Sequence, residues 1–221
     1  MNAETHDAAP ISGVIGVALA GGASRRMGHD KARLLIGGEP LLGRAVARLR
    51  RALAVVIVVG NPALVSLVPE TRIVADAWPG RGPLGALVTA LEATETTEAP
   101  DAEWALLVAC DMPFTQPALV REIARLALTT PAIDAVALRG PRGLEPLHAA
   151  YHRRCLPLAR ARLAAGDDNS LQGLLATLRV REVTPDDARR FDPFARSAFN
   201  ANTPEEWSRA LRLADEESER A

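Results

Sequence analysis

Short apolar runs alternate with amphipathic stretches along most of the chain. The runs are rich in β-branched and aliphatic residues, and several have no polar position. This pattern is typical of strands covered on both faces in a parallel sheet. The runs that predict strands are residues 14–20, 55–59, 72–75, 104–109 and 134–138, and the more polar residues 179–183 are predicted to form an edge strand.

The stretches between the runs carry apolar residues at helical spacing. The stretch that Pro40 opens predicts a helix through about Leu53, with its arginines mostly off the apolar face and therefore solvated. Thr115 is predicted to cap a helix with Pro117 in its first turn, and residues 185–193 are predicted to form a polar loop. The other predicted helices are residues 84–93, 155–165 and 171–178, and a last one capped by Thr203.

This alternation of strands and helices predicts a three-layer α/β fold with a mostly parallel, Rossmann-like sheet. A chain of 221 residues that is 48% hydrophobic and 24% charged is long enough for one sizeable core. We expect a single domain at residues 13–214, after a mobile leader at 1–12 and before a charged tail at 215–221.

Charge and cysteine content exclude several classes of protein. A net charge of -1 gives no reason to expect a nucleic-acid partner. The apolar run at 14–20 is too short to span a membrane, and residues 1–10 lack the basic start and apolar centre of a signal peptide. Only Cys110 and Cys155 are present, which favours a reducing cytoplasm and, with four scattered histidines, gives no zinc cluster. We expect Cys110 to be a packing residue.

The first apolar run ends in a glycine-rich, basic loop. Residues 19–31 read Leu-Ala-Gly-Gly-Ala-Ser-Arg-Arg-Met-Gly-His-Asp-Lys. Gly21 and Gly22 let the backbone approach an anion, while Arg25, Arg26 and Lys31 supply the charge that a triphosphate requires. The loop is therefore a candidate phosphate site. The alternative is a strand-to-helix turn beside a solvated basic patch.

Two better-known glycine loops do not fit this segment. A Walker loop requires Gly-Lys-Ser/Thr, but His29 and Asp30 separate Gly28 from Lys31, and Ala32 stands where the metal-binding hydroxyl belongs. The Gly-x-Gly-x-x-Gly fingerprint of dinucleotide-binding enzymes does not fit either, which disfavours an oxidoreductase.

Three polar residues lie at the ends of predicted parallel strands. Asn61, Asp76 and Asp111 should therefore lie at the carboxyl edge of the sheet, where open α/β sheets bind ligands. Asp111 can hold Mg²⁺, which takes one or two carboxylates together with phosphate oxygens and water. Asn61 is equally compatible with a turn before Pro62, and Asp76 with a cap of the loop after it.

Three segments of the chain resemble motifs of the nucleotidyltransferases, and most closely those of the MobA family of molybdenum cofactor guanylyltransferases. They are residues 19–31, residues 110–114 (Cys-Asp-Met-Pro-Phe) and residues 200–206 (Asn-Ala-Asn-Thr-Pro-Glu-Glu), in the same order as in that family. The segment 144–151 is similar to the family's Pro-Leu-x-Ala-x-Tyr segment. The resemblance covers nearly the whole chain after the leader.

The resemblance implies transfer of GMP from GTP to the molybdopterin form of the molybdenum cofactor, with release of pyrophosphate. It implies Mg²⁺ at Asp111 and phosphate charge stabilisation by Lys31 with Arg25 and Arg26. Molybdoenzymes or their chaperones are the further partners it suggests. The implied GTP contacts are Leu19, Ala20, Gly21, Gly22, Lys31, Asn61, Asp76 and Asp111, and the implied acceptor contacts are Gly85, Asn200 and Asn202.

Other interpretations remain open at this point. Asn200 and Asn202 point the same way if their segment is extended, so both could face one ligand. His148 occupies a variable position of its segment, and we expect it to pack rather than exchange protons. The base and acceptor could differ, as in cytidylyl transfer to the same cofactor or nucleotidyl transfer to a sugar phosphate. A nucleotide- and cofactor-binding protein without chemistry is a further alternative.

Overall fold

The computed structural model describes residues 9–21, 30–95, 99–166 and 170–218, and the structural statements below refer to these residues. The strands are β1 (Ile11–Ala20), β2 (Leu35–Ile36), β3 (Glu39–Pro40), β4 (Leu53–Gly60), β5 (Arg72–Val74), β6 (Trp104–Ala109), β7 (Ala135–Gly140), β8 (Gly143–His152) and β9 (Val180–Val183). The α-helices are α1 (Leu41–Arg50), α2 (Gly82–Thr94), α3 (Pro117–Thr129), α4 (Leu156–Ala165), α5 (Leu171–Leu175), α6 (Pro185–Ala188) and α7 (Pro204–Ser218).

Seven strands form one mostly parallel sheet in the order β5-β4-β1-β6-β8-β7-β9. The strands β5, β4, β1 and β6 run parallel, whereas β8 runs antiparallel to both of its neighbours. In the centre, Val17 of β1 lies between Ile57 of β4 and Leu107 of β6. The α/β fold with a mostly parallel sheet, predicted from the apolar runs, is confirmed.

Helices cover both faces of this sheet. Val14 and Ala18 belong to a core shared with α1 and α3, whereas Ile15, Val17 and Leu19 belong to a core shared with α2 and α4. Both sets of side chains are buried, which explains why β1 reads as a continuous apolar run. Among the described residues, no helix has the length and apolar character needed to cross a membrane.

A third, smaller core packs the last helix, α7, against elements from the first half of the chain. Ile36 of the β2–β3 hairpin and Leu41 of α1 pack with Phe114, and with Ala210 and Ala214 of α7. This cluster holds the last helix beside the loop that follows β6, so the helix lies near the carboxyl edge of the sheet.

Several element boundaries differ from the sequence-based predictions. The first strand begins at Ile11, inside the predicted leader, because its backbone N–H already donates to the carbonyl of Ala52 at 2.9 Å. Leu53 opens β4 instead of closing the helix α1. Residues 185–188 form α6 where a loop was predicted, because Thr184 and Asp187 make a reciprocal capping box.

The predicted helix cap at Thr115 is wrong. Its hydroxyl is buried and donates to the carbonyl of Met112 at 3.1 Å, and Gln116 takes the N-cap position without a side-chain cap bond. By contrast, the predicted cap at Thr203 is present, since the N–H of Glu206 donates to its hydroxyl at 3.1 Å.

The predicted charged tail is helical as far as Ser218. Glu217 there binds Arg44 and Arg48 of α1, whose side chains are only 15% and 16% exposed. The prediction that these two arginines belong to a solvated face is therefore wrong. Their polar position on the helix was correctly identified, but the sequence pattern does not indicate that a carboxylate about 170 residues away covers them.

Candidate active site

The carboxyl ends of β1, β4 and β6 meet at one edge of the sheet. The N–H of Cys110 donates to the carbonyl of Leu19 at 3.1 Å, which ties the end of β6 to the end of β1. At Gly60, a Cβ would lie only 3.0 Å from the carbonyl oxygen of Ala20, so this close approach of the two strands favours glycine. Leu19 and Ala20 therefore lie at the carboxyl edge of the sheet, as the sequence predicts, and Gly21 follows them as an exposed residue.

Part of the predicted phosphate loop cannot be located in this site. Gly22, Arg25 and Arg26 lie outside the described residues. Their assignments remain predictions from the sequence, whereas Gly21 and Lys31, at the two sides of this gap, are described.

Three side chains from distant parts of the chain converge at this edge. The Nζ of Lys31 lies 3.0 Å from Oδ2 of Asp111 and 2.5 Å from Oδ1 of Asn202. The side chains of Lys31 and Asp111 are 16% and 18% exposed, so the pair is shielded from bulk water without being sealed off. One ammonium and one carboxylate, both still accessible, can together bind an anionic ligand and a cation.

Each of the three residues is fixed by its local backbone. Lys31 begins a 3₁₀ turn that Asp30 caps by accepting the N–H of Ala32 at 3.1 Å. Asp111 is the second residue after the fully buried strand β6, and its carbonyl accepts the N–H of Ala201 at 2.9 Å.

Asn202 is held by the helix start that follows it. Its backbone N–H donates to Oε2 of Glu206 at 2.8 Å, within the capping box that Thr203 and Glu206 form at the start of α7. The cap of α7 therefore also fixes the backbone of Asn202, whose side chain accepts a hydrogen bond from Lys31.

Cys110, next to Asp111, is not a nucleophile. Burial raises the pKa of its thiol to about 12, and the negative charge of Asp111 adds to the increase. At neutral pH the side chain is an uncharged thiol in the core, in agreement with the predicted packing role.

Asp76 and Asn61 both have local partners at the same edge. Oδ1 of Asp76 accepts the N–H of Trp78 at 2.9 Å and lies 3.3 Å from the hydroxyl of Thr89, which donates to it. Oδ1 of Asn61 accepts the N–H of Ala63 at 2.9 Å. These are the capping and turn roles that the sequence left open as alternatives. Contact with a nucleotide remains a prediction for both residues.

The predicted acceptor residues are not equivalent in the structure. Asn202 reaches Lys31, whereas the amide of Asn200 donates to the backbone carbonyl of Ala198 at 3.2 Å. Gly85 is buried in the first turns of α2, where a Cβ would lie 2.9 Å from the carbonyl oxygen of Trp78. Close packing is therefore sufficient to explain the glycine.

His148 lies on β8, opposite Val108 of β6, and is fully buried. Its Nδ1 lies 3.3 Å from the carbonyl oxygen of Ser197, while Nε2 has no hydrogen-bond partner among the described residues. Burial lowers the pKa of His148 to about 4, so the imidazole is neutral at neutral pH. The surroundings agree with the predicted packing role.

The single carboxylate of Asp111 at this edge is suited to a divalent ion that is also coordinated by a bound phosphate. Within the described ranges, no three His, Cys, Asp or Glu side chains converge as a metal cluster. Asp111 offers one carboxylate, and magnesium commonly completes such a site with phosphate oxygens and water. An ion here would therefore depend on a bound phosphate more than on the protein.

Sequence reasoning missed the residues that support this edge from behind. Arg44 and Arg48 donate to the backbone carbonyls of Pro113 and Thr115, each at 2.9 Å. Neither contact has a local signal in the sequence, because the partners are 69 and 67 residues apart.

Comparisons with known proteins show which family this chain resembles. Residues 16–183 match the family model described as the MobA-like NTP transferase domain. A protein of Chloroflexus aggregans named "Probable molybdenum cofactor guanylyltransferase" is 38% identical over 194 residues, which span 86% of this chain and 90% of that protein.

Solved structures share the fold at lower sequence identity. The crystal structure of molybdopterin-guanine dinucleotide biosynthesis protein A from Archaeoglobus fulgidus superposes with a TM-score of 0.78 at 21% identity, and covers 91% of this chain and 99% of its own. The structure of Rv0371c from Mycobacterium tuberculosis in complex with manganese gives a TM-score of 0.61 at 18% identity, with coverages of 90% and 98%. At these identities the similarity concerns the fold alone.

Proposed function

Since the chain belongs to the MobA-like NTP transferase family, we propose that it transfers GMP from GTP to the molybdopterin form of the molybdenum cofactor. The products are the guanine dinucleotide form of the cofactor and pyrophosphate. The enzyme class follows from the family, and the choice of GTP and molybdopterin is supported by the name of the Chloroflexus aggregans relative.

The observation that carries this proposal is the convergence of Lys31, Asp111 and Asn202 at the carboxyl edge of the sheet. An ammonium beside a carboxylate is the pair that a triphosphate and its metal ion require. The presence of Lys31 and Asp111 together also argues against a protein that binds the nucleotide without catalysing a reaction.

The reaction is an in-line displacement at the α-phosphorus of GTP. A phosphate oxygen of the acceptor forms the new bond to the α-phosphorus, and the bond to the oxygen that bridges the α- and β-phosphorus breaks, releasing pyrophosphate with its electron pair. The attacking phosphate is already anionic, so no strong general base is required. The protein must instead bring two anions together and stabilise the charge that moves to pyrophosphate.

Lys31 meets this requirement from the protein side. Its ammonium is only 16% exposed, and a charge contact is worth more where water is partly excluded. Arg25 and Arg26, from the same basic loop, are proposed to add to this charge. Asn202 fixes the direction of the Lys31 side chain through the bond to its Oδ1.

Asp111 is the residue that would hold Mg²⁺. When bound there, the ion would supply positive charge that offsets the negative charge of the triphosphate. The manganese complex of the Rv0371c structure shows that a protein of this fold binds a divalent ion, and supports a divalent ion here.

The remaining assignments complete the proposed site. We assign Gly85 and Asn200, with Asn202, to the acceptor side, and the guanine nucleotide to the ends of β1, β4 and β6. Molybdoenzymes or their chaperones would receive the product. The free, buried thiols of Cys110 and Cys155 agree with a reducing cytoplasm as the site of this activity. The proposed nucleotide contacts are Leu19, Ala20, Gly21, Gly22, Lys31, Asn61, Asp76 and Asp111.

Release of pyrophosphate tests the proposal. GTP, CTP, ATP and UTP are offered separately with Mg²⁺, each with and without the molybdopterin-form cofactor. We expect release only with GTP and cofactor together. Release with CTP and cofactor would keep the mechanism and change the product, and no release with any pair would contradict the proposed function.

A further inference from the structure

The loop that carries Asp111 is held from behind by two arginines. We call residues 111–115, which lie within the connection between β6 and α3, the Asp111 loop. Nε of Arg44 donates to the carbonyl of Pro113, and Nη1 of Arg48 donates to the carbonyl of Thr115, both at 2.9 Å. The guanidinium of Arg44 also lies 5.9 Å from the ring centroid of Phe114. Two side chains of α1 thus contact two carbonyls and one aromatic ring of the Asp111 loop.

A single carboxylate binds both arginines. Oε2 of Glu217, in the last turn of α7, accepts from Nη2 of Arg44, and from Nη2 of Arg48 at 2.9 Å. The side chains of Arg44, Arg48 and Glu217 are 15%, 16% and 26% exposed. This bridge is therefore largely shielded from water, unlike an ordinary surface ion pair.

The bridge is needed because the two arginines repel each other. They lie four residues apart on one face of α1, where like charges are unfavourable. Burial lowers the pKa of Arg48, and the positive charge of Arg44 lowers it further, whereas Glu217 raises it. Glu39 also lies near Arg44, with its Oε2 4.0 Å from Nη1, but the Glu39 side chain is 43% exposed. Without Glu217, two partly buried cations would be compensated only weakly, and we expect their side chains to move apart toward solvent.

The other end of α7 reaches the same loop from the opposite side. Just before this helix, the N–H of Ala201 donates to the carbonyl of Asp111, and Asn202 accepts from Lys31. The helix α7 thus contacts the Asp111 loop near its first turn directly and near its last turn through two arginines. Its C-terminal turn is consequently linked to the reacting edge of the sheet.

We propose that Glu217 is a positioning residue for GMP transfer. Its carboxylate orients Arg44 and Arg48, and these fix the carbonyls of the Asp111 loop, so that Asp111 is held at the distance that the phosphates and their metal ion require. Glu217 touches neither the nucleotide nor the acceptor. This inference rests on the proposed function for its kinetic consequence, but the ordering of the loop does not depend on that function.

The kinetic test compares matched variants at a temperature well below the melting point of each. In Glu217→Gln and Arg48→Lys we expect kcat to fall about tenfold, with KM for GTP changed less than about twofold, because small misplacement at a reacting centre reduces the rate. Arg50→Lys is the control. Arg50 lies on the same helix and also donates to a backbone carbonyl, that of Glu70, but far from the Asp111 loop. We expect it to retain wild-type kcat.

Amide hydrogen exchange tests the same link without turnover. In Glu217→Gln, the backbone amides of Met112, Phe114, Thr115 and Gln116 should exchange several-fold faster than in the wild type, while those of β4 remain unchanged. Unchanged kcat together with unchanged exchange would overturn the proposal, as would a lower melting temperature with wild-type kcat. If the wild type itself releases no pyrophosphate, the proposed function fails, and the exchange rates alone decide on the ordering of the loop.

Discussion

Nζ of Lys31 lies 3.0 Å from Oδ2 of Asp111, although 80 residues separate the two in the chain. Lys31 follows the first strand of the sheet in sequence order, and Asp111 is the second residue after the adjacent strand β6. The parallel pairing of β1 with β6 is what brings both residues to one edge. The proposed chemistry therefore depends on the order of the strands as much as on the residues.

Removing either member of this pair should abolish most turnover and leave the fold intact. Loss of one preorganised charge contact costs about 3 kcal/mol of barrier, or roughly a hundredfold in kcat. We expect this loss in both Lys31→Ala and Asp111→Ala, measured as pyrophosphate release, with unchanged circular dichroism. Arg33→Ala, on the same 3₁₀ turn but half exposed, is the control and should remain active. Near-normal activity in either site variant would refute the assignment.

Asn202 should act mainly through Lys31. Asn202→Ala removes an acceptor 2.5 Å from Nζ of Lys31, and we expect kcat to fall about tenfold because the ammonium is no longer oriented. In the Lys31→Ala background the same substitution should have little further effect, since coupled residues are not additive. If Asn202 acted only through its proposed contact with the acceptor, and not through Lys31, its removal would raise KM for the acceptor equally in both backgrounds.

Gly85 should be required for packing whether or not it contacts the acceptor. In Gly85→Ala the new Cβ would meet the carbonyl oxygen of Trp78 at 2.9 Å, and overpacking of this kind costs about 1–3 kcal/mol of unfolding free energy. Gly43→Ala is the matched helical control, because its nearest atom would lie at 3.6 Å. Alanine there should be neutral or stabilising by up to about 1 kcal/mol. Denaturant unfolding of both variants measures the difference, and equal stabilities would contradict it.

Burial of His148 should lower the free energy of unfolding as the pH falls below 6.5. Its folded pKa of about 4 lies below the ordinary value of 6.5, so the unfolded chain binds the proton more tightly. The contribution of His148 to stability is complete above pH 6.5 and falls as the pH drops toward 4. The loss across this window is about 3 kcal/mol, since one pKa unit corresponds to about 1.4 kcal/mol.

The variant His148→Leu isolates this contribution from other groups that titrate in the same range. His152 is one of these, because burial also lowers its pKa. The free energy of unfolding should depend less steeply on pH in the variant than in the wild type between pH 6.5 and 4. Identical slopes would show that His148 does not titrate as its burial requires.

The sequence predicted those features that are encoded locally. The strand β6 was recognised with its observed bounds because all six of its residues are apolar and buried, and Asp111 was selected because it lies at the end of that strand. The cap at Thr203 was found because its partner Glu206 is only three residues away. Each of these signals lies within a few residues of the feature it predicts.

Features that depend on distant partners were missed for the same reason. The helical pattern of α1 places Arg44 and Arg48 off the apolar face, but it contains no information about Glu217. Thr115 has the residue type of a cap, yet the turn after β6 directs its hydroxyl to Met112. Gly85 was assigned to the acceptor from the family resemblance, whereas its close contact with Trp78 appears only in the folded chain.

The most direct test of the central claim is to follow the α-phosphorus of GTP. GTP labelled at this position is incubated with the protein, Mg²⁺ and the molybdopterin-form cofactor, and the products are separated. The account predicts that the label enters the cofactor product in equal amount to the pyrophosphate released, and that both are lost in Lys31→Ala. Label that remains in GTP, or that appears only as free GMP, would contradict transfer to the cofactor.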